Sequence, residues 1–304
     1  MFRARLALVL TLLLAACGPV GSNAPFTDTR MPPHLSRQFW APDGWGWGVV
    51  QITDRPPLRY GVVTPPGMSA GQIIIMTGYG ETAEGWFETA RFLVDNDYSV
   101  WVLEAAGQGG SGRYGEPHDQ GQAPDFTADI EGVRALSAKV IRPKATSPIS
   151  LIASGTAAPA AIEALSQGLP AKALILSFPG DVAVPAGGGG WTRPNNLSAL
   201  NLRQREQLGW MIANPDLRMG APNRQWRTAW SQAQASAVSP VVRARLSGQV
   251  LVVSPTARPL DCSGFRQCKT RQIAASVPYQ LADNATLAVW RSAVLEGLDA
   301  DHAP

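Results

Sequence analysis

The chain has 304 residues, a formal net charge of +3, and charged side chains at only 16% of its positions. This length is sufficient for one large core, or for a core with an inserted cap. The slight basic excess is spread along the sequence without a Lys/Arg cluster, so we do not expect nucleic-acid binding. We recognise no nucleotide-binding loop, cofactor motif or metal cluster, and we therefore expect no cofactor and no metal ion.

The first 17 residues have the pattern of a bacterial-type lipoprotein signal peptide. Two arginines precede the apolar run Leu6–Leu14, which is shorter than the roughly 20 residues needed to span a membrane. The sequence Leu14-Ala15-Ala16-Cys17 then resembles a lipobox, in which the cysteine is lipidated and becomes the new first residue. The alternative is an ordinary signal peptide, with Cys17 unmodified. Lipidation predicts an exported, membrane-anchored protein of the cell envelope that faces the periplasm, with residues 18–45 as a tether.

The other two cysteines, Cys262 and Cys268, are close together in the sequence. Outside the cytoplasm, such a pair is more often a disulfide than two free thiols. A metal site is less favoured, because no histidine lies within thirty residues of them. We therefore expect a Cys262–Cys268 disulfide.

From Trp47 onwards, the predicted order is three strands followed by alternating helices and strands. The predicted strands are 47–52, 59–63, 73–76, 100–103, 149–153, 173–176 and 250–253, and the predicted helices are 83–94, 125–140, 157–165, one after Gly264, and 287–298. Strands separated by helices predict a mainly parallel sheet that is covered on both faces. The stretch from Pro179 to Gly248 interrupts this alternation, and we interpret it as a helical cap, with a long irregular loop as the alternative.

Two glycine-rich segments resemble those of a known family. They are Gly78-Tyr79-Gly80-Glu81 and, after a strand that ends in Glu104, Gly107-Gln108-Gly109-Gly110-Ser111-Gly112-Arg113. Together with the cap segment 214–222, they resemble the lysophospholipase L2 and monoacylglycerol lipase branch (serine aminopeptidase S33-type) of the α/β-hydrolases. The resemblance implies an α/β fold, with a mainly parallel central sheet, helices on both faces and an inserted helical cap. We expect a core of residues 46–179 and 249–300 and a cap of residues 180–248.

The nucleophile of that fold lies on a sharp turn between a strand and a helix. Here the turn is Ala153-Ser154-Gly155-Thr156-Ala157-Ala158, and the family pattern there is Gly-x-Ser-x-Gly. Centring the pattern on Gly155 puts an alanine at both positions that require small residues, whereas centring it on Ser154 puts a β-branched residue at both. We therefore place Gly155 in the nucleophile position, because glycine adopts such a strained backbone conformation most easily.

The acid and the base of the family are also missing from their expected positions. An acid would be expected near residue 257, and Asp261 could replace it only if the loop were rebuilt. A histidine would be expected within residues 282–286, and the chain has none there. We interpret the three histidines that do occur as surface residues: His34, His118 and His302. Without a base, a serine hydroxyl is a poor nucleophile near pH 7.

The remaining features are those of a binding protein. The loop of Gly78, Tyr79 and Gly80, with the amide of Thr156, would form an anion-binding cradle of the oxyanion-hole type. The cap also contains four tryptophans that either line an apolar cleft or, as we favour, form the cap core: Trp191, Trp210, Trp226 and Trp230.

Three hypotheses follow for the function. The leading one is a non-catalytic, lipid-anchored envelope protein that binds a lipid or acyl ligand or an envelope protein partner. The second is an active lipid-ester hydrolase of the lysophospholipase or monoacylglycerol lipase type, in which Ser154 is assisted by Asp261 and a displaced histidine. The third is a purely structural envelope protein with a collapsed cleft. The sequence alone does not decide whether the protein is an enzyme, because fold does not establish function.

Overall fold

A central eight-stranded sheet organises the structure, a computed structural model that describes residues 24–179, 189–257 and 261–299. The strands are β1 (Gly46–Val50), β2 (Leu58–Val63), β3 (Gly71–Met76), β4 (Tyr98–Leu103), β5 (Ile149–Ser154), β6 (Ala173–Ser177), β7 (Gln249–Pro255) and β8 (Cys268–Ile273). Their order across the sheet is β1-β2-β4-β3-β5-β6-β7-β8. β2 is antiparallel to β1 and β4, and all other neighbours are parallel.

Helices cover both faces of this sheet, as predicted. They are α1 (Phe87–Val94), α2 (Thr127–Ala135, continued by a π-helical segment, Leu136–Ile141), α3 (Ala158–Ser166), α4 (Leu202–Ala213), α5 (Arg224–Ala237), α6 (Pro240–Arg243) and α7 (Asn284–Leu298). One apolar cluster holds residues of α2, α3 and α5, and a second, on the other face, holds residues of α1 and α7. α4, α5 and α6 lie between β6 and β7 in the chain, where the sequence predicts the cap. The predicted α/β fold class is confirmed.

The central strands are apolar on both faces because both faces are buried. In β3, Ile73 and Ile75 belong to the cluster with α1 and α7, whereas Ile74 and Met76 belong to the cluster with α2 and α3. This alternation is the period of two of a β-strand, applied to a strand with two buried faces. All six residues of β5 are buried as well, so the turn that follows β5 starts from a fixed position.

The helix predicted after Gly264 is wrong, because the chain forms strand β8 there. Gly264 has a φ of +84°, and this left-handed turn lies inside the short loop closed by the Cys262–Cys268 disulfide. This loop brings the chain back beside β7. Residues Cys268 to Ile273 then pair with β7 as the parallel strand β8. The predicted disulfide is confirmed.

Residues 24–45, which we name the strap, pack against the domain, unlike the tether predicted for residues 18–45. The backbone N–H of Phe26 donates to the carbonyl of Gly110 (3.0 Å). Further along, the N–H of Arg30 donates to Asn214 Oδ1 (2.6 Å), and Asn214 Nδ2 donates back to the Arg30 carbonyl (2.9 Å). Leu35 and Phe39 then join a small apolar cluster with residues of α1 and α4.

The signal peptide and Cys17 belong to residues 1–23, which lie outside the described residues. Within the part of the chain that the structure does describe, every helix is too short or too polar to cross a bilayer.

Candidate functional site

The turn after β5 has a left-handed backbone at Gly155, the residue that the sequence analysis assigns to the nucleophile position. Ser154 ends β5, and Gly155 follows it with a φ of +48° before the chain enters α3. A residue with a side chain would lose about 1–2 kcal/mol in this left-handed conformation. Glycine therefore allows the sharp turn without strain and supplies no hydroxyl at its apex.

The hydroxyl of Ser154 is bound inside the protein. Ser154 is 1% exposed, and its Oγ donates to Glu81 Oε1 at 2.7 Å. The same buried carboxylate accepts from the N–H of Gly78 (2.9 Å), from Trp86 Nε1 (3.2 Å) and from the side chain of Gln280. Burial raises the pKa of Glu81, and these hydrogen bonds oppose the increase. The group around Ser154 is thus a closed hydrogen-bonded cluster.

Three of the four amides of the predicted anion cradle, those of the Gly78–Gly80 loop, are also occupied. The N–H of Tyr79 donates to Thr156 Oγ1 at 2.7 Å, and the N–H of Gly80 donates to Gln108 Oε1 at 2.8 Å. With Gly78 bound to Glu81, all three amides of the loop have internal acceptors. A cavity of about 10 Å³ is lined in part by Gln108 and Thr156, which is no more than the volume needed for one water molecule.

The cap is fastened directly onto this loop through the side chain of Tyr79. Its hydroxyl donates to the carbonyl of Gly220 (2.8 Å) and accepts from the N–H of Gly121 (3.1 Å). Its ring lies edge-on to Trp226, with centroids 4.7 Å apart. Trp226 is 1% exposed and also contacts Phe126. Burial raises the pKa of Tyr79, so the phenol stays protonated and can keep donating. Aromatic rings therefore fill the space above the loop.

The four cap tryptophans lie in three different environments, so they do not line one cleft. Trp226 stacks on Trp230 with centroids 6.1 Å apart. Trp210 packs against Phe87 of α1, in the cluster that includes the strap. The ring of Trp191 lies 4.7 Å from the guanidinium of Arg218. Core packing, the favoured alternative, describes Trp210 and Trp226, which are both buried.

The proposed acid, Asp261, is exposed and bound elsewhere. Its carboxylate accepts a hydrogen bond from the N–H of Ser263 (3.0 Å), and bonding to Ser263 holds the pKa of Asp261 below its usual value. The hydroxyl of Ser154 donates to Glu81 and not to Asp261, so the pairing of Ser154 with Asp261 required by the hydrolase hypothesis is not present.

The described histidines lie away from this cluster. His118 is beside Glu116 in an exposed loop, with Nδ1 3.6 Å from the carboxylate, and His34 is exposed in the strap. His302 lies outside the described residues. Gln280, just before the segment expected to hold the histidine, instead binds Glu81. Sequence analysis gave no role to Glu81 or Gln280, although Glu81 directly follows the glycine-rich turn.

The second glycine-rich segment supports the site without contributing chemistry to it. Arg59 is buried between Glu84 (Nη2 to Oε1, 3.0 Å) and Glu104 (Nε to Oε2, 2.8 Å). Burial lowers the pKa of Arg59, but the charges of Glu104 and Glu84 outweigh it and raise the pKa. Glu104 also accepts from the N–H of Gly110 (2.7 Å), and Arg113 Nη2 donates to the carbonyl of Asp216 in the cap (2.6 Å). The segment therefore links the sheet to the cap.

A separate apolar cavity of about 100 Å³ lies between α3, β6, β7 and the disulfide loop. Its walls include Ile162, Leu176, Val252 and Phe265, and its polar lining includes Arg243 and Asp261. An apolar chain with one polar end fits such a lining better than a polar ligand does. Among the described residues, no group of His, Cys, Asp and Glu is arranged to hold a metal ion.

Comparison with known proteins gives a family and a fold. A family model described as Hydrolase_4, serine aminopeptidase S33, matches residues 67–245. Among solved structures, a soluble variant of monoglyceride lipase from Saccharomyces cerevisiae is 12% identical, with a TM-score of 0.64 over 90% of this chain and 100% of that one. DcsB in complex with its substrate analogue is 16% identical, with a TM-score of 0.59 over 84% and 99% of the two chains.

A membrane phospholipase A, described as a bacterial virulence factor, is 14% identical, with a TM-score of 0.57 over 86% of this chain and 88% of that one. At these identities the structural similarity shows the fold alone. No curated protein matches the chain.

Proposed function

Because this chain belongs to the serine aminopeptidase S33 family of α/β-hydrolases, we propose that it is a non-catalytic member that acts by binding. The observation that carries this proposal is the turn after β5, where Gly155 has a φ of +48° and no side chain to attack a substrate. Serine hydrolysis in this fold requires a hydroxyl at that turn and a base to activate it.

The surroundings of Gly155 support the same conclusion. The neighbouring hydroxyl of Ser154 is buried and bound to Glu81, a carboxylate that already accepts several hydrogen bonds. The amide of Tyr79, which would stabilise an oxyanion, donates to Thr156 instead. A substrate would have to break both interactions before it reached the turn.

We propose further that the protein is lipidated on Cys17 and held in the bacterial cell envelope. The lipobox-like sequence before Cys17 supports the anchor. A disulfide between Cys262 and Cys268 fits an exported protein, because disulfides form mainly outside the cytoplasm. Labelling of cells with a radioactive fatty acid should mark the wild-type chain and not the Cys17→Ala variant. Equal labelling of both chains would disprove the anchor.

For the ligand we propose an acyl chain in the cavity beside the disulfide loop. Its walls are mostly apolar, and two of the structural neighbours are named as lipases or phospholipases. Val238 lines the cavity and is 54% exposed, so Val238→Trp should narrow the cavity without disturbing the core and should weaken binding of a fluorescent fatty acid. Val241→Trp is the matched control, since Val241 is 66% exposed and does not line the cavity.

Fluorophosphonate labelling of the mature chain, with peptide mass spectrometry, tests the absence of catalysis. We expect no adduct on Ser154, next to an active monoacylglycerol lipase that labels fully. An adduct that disappears in Ser154→Ala would show an activated serine, and would favour the lipid-ester hydrolase instead.

A further inference from the structure

Charge is distributed unequally between the cap and the rest of the chain. Residues 189–248 contain eight arginines, no lysine and two acidic residues, Glu206 and Asp216, which gives a net charge of +6. Since the whole chain carries +3, the remaining residues carry −3. These arginines do not form a run of adjacent residues, but they all lie within one continuous stretch of the chain, so this subdomain is basic while the rest of the chain is acidic.

The outer face of α4 combines arginine with exposed apolar side chains. Leu202 and Ile212 are 40% and 41% exposed, and Arg205 is exposed between them. These positions are three and seven residues apart, which places them on one side of a helix. The inner side is occupied by buried residues that include Trp210 and the ion-paired Arg203. The apolar residues on the outer face therefore remain partly exposed to solvent in this domain.

The strap lies beside this outer face of α4, next to Gly209, and adds residues to it. Pro32 lies against Gly209 of α4, 3.5 Å from where a Cβ would be, and the adjacent Met31 is 53% exposed. At the end of α4, Arg218 donates to the carbonyls of Met211 (2.8 Å) and Ile212 (3.2 Å). We name this set the α4–strap surface: Met31, Leu202, Arg205, Ile212 and Arg218.

We propose that the α4–strap surface lies on the membrane and binds the headgroups of acidic phospholipids. This inference rests on the proposed lipidation of Cys17. Ala24 is seven positions after Cys17, and an extended chain over seven residue steps reaches at most about 25 Å. The anchor would therefore hold the first residue of the strap, Ala24, close to the bilayer, and the domain with it. Arginine attracts an acidic leaflet, and exposed leucine, isoleucine and methionine enter the interface.

Vesicle sedimentation of the unlipidated mature chain, Cys17→Ala, tests the surface independently of the anchor. We expect partitioning about tenfold stronger to phosphatidylcholine vesicles that contain phosphatidylglycerol than to pure phosphatidylcholine, and weaker partitioning in high salt. Arg205→Gln should weaken binding to the acidic vesicles by about fivefold. The double variant Leu202→Ser/Ile212→Ser should weaken it as well.

Matched controls are Lys269→Gln on β8 and Val241→Ser on α6, which change an exposed charge and an exposed apolar residue elsewhere. Both should bind like the parent chain, and circular dichroism should show all variants folded. Equal binding to both kinds of vesicle, equal loss in the controls, or no binding at all would overturn the proposal. Vesicle binding does not depend on whether Ser154 reacts with fluorophosphonate. The proposed membrane surface and the proposed lack of catalysis are therefore tested independently.

Discussion

Replacing Gly155 by serine would restore the family's hydroxyl and should still give no enzyme. The φ of +48° at this position is unfavourable for any residue with a Cβ, so Gly155→Ser should lower the free energy of unfolding by about 1–2 kcal/mol. For a domain of this size, that corresponds to a decrease in Tm of about 2–8 °C. Urea unfolding measures this loss, and Gly155→Ala should show the same loss because the strain depends on the Cβ.

Gly168→Ala provides the matched control, since Gly168 has a φ of +90° and open space around the added Cβ. It should cost a similar free energy, which would assign the loss at Gly155 to the backbone. The Gly155→Ser variant should remain unlabelled by fluorophosphonate, because neither described histidine lies at the turn and the nearby carboxylate of Glu81 is already held by hydrogen bonds, including those from Ser154 and Gln280. Rapid labelling at residue 155 would refute this reasoning and show that the chain supplies a base.

Three other perturbations test the packing of the site. Thr156→Val should lower the free energy of unfolding by about 1–3 kcal/mol, because the buried N–H of Tyr79 loses its acceptor, whereas Thr156→Ser should keep most of the stability. Tyr79→Phe should speed hydrogen exchange in the cap around Gly220, measured by mass spectrometry; unchanged exchange would show that the phenol does not fasten the cap. Burial raises the pKa of Asp129 from 3.8 to about 7, so the stability associated with its protonated form is present below pH 4 and lost as the pH rises through 7. Asp129→Asn does not titrate, so urea unfolding between pH 4 and 8 should show the wild type losing up to about 4 kcal/mol relative to the variant.

The fold was accessible from the sequence because its signals are local. The apolar runs of β3 and β5 and the helical periodicity of α1 predict elements without knowledge of their partners. The helix predicted after Gly264 failed because a pairing partner, β7, decides the conformation of residues 268–273. Likewise, nothing in residues 24–45 indicates that they pack, since their contacts are made with α1, α4 and the glycine-rich loop.

At the candidate site, the contacts that surround Ser154 and the glycine-rich loop could not be predicted from the sequence. The assignment of Gly155 to the nucleophile position rests on the small residues around it and stays a prediction; the structure adds that Gly155 has a left-handed backbone, with a φ of +48°. The bonds from Ser154 to Glu81 and from Tyr79 to Thr156 join residues more than seventy positions apart. A single sequence does not show such distant hydrogen bonds. The sequence therefore did not predict that the three loop amides, those of Gly78, Tyr79 and Gly80, are bound inside the protein.

Strand β8 also affects how the protein behaves at high concentration. An edge strand exposes unpaired backbone groups that can recruit a strand from another molecule. On β8, Lys269 and Arg271 are exposed, and the disulfide at Cys268 fixes where the strand begins. Two molecules that met edge to edge would bring these like charges together. The same short strand that completes the sheet thereby limits aggregation along it.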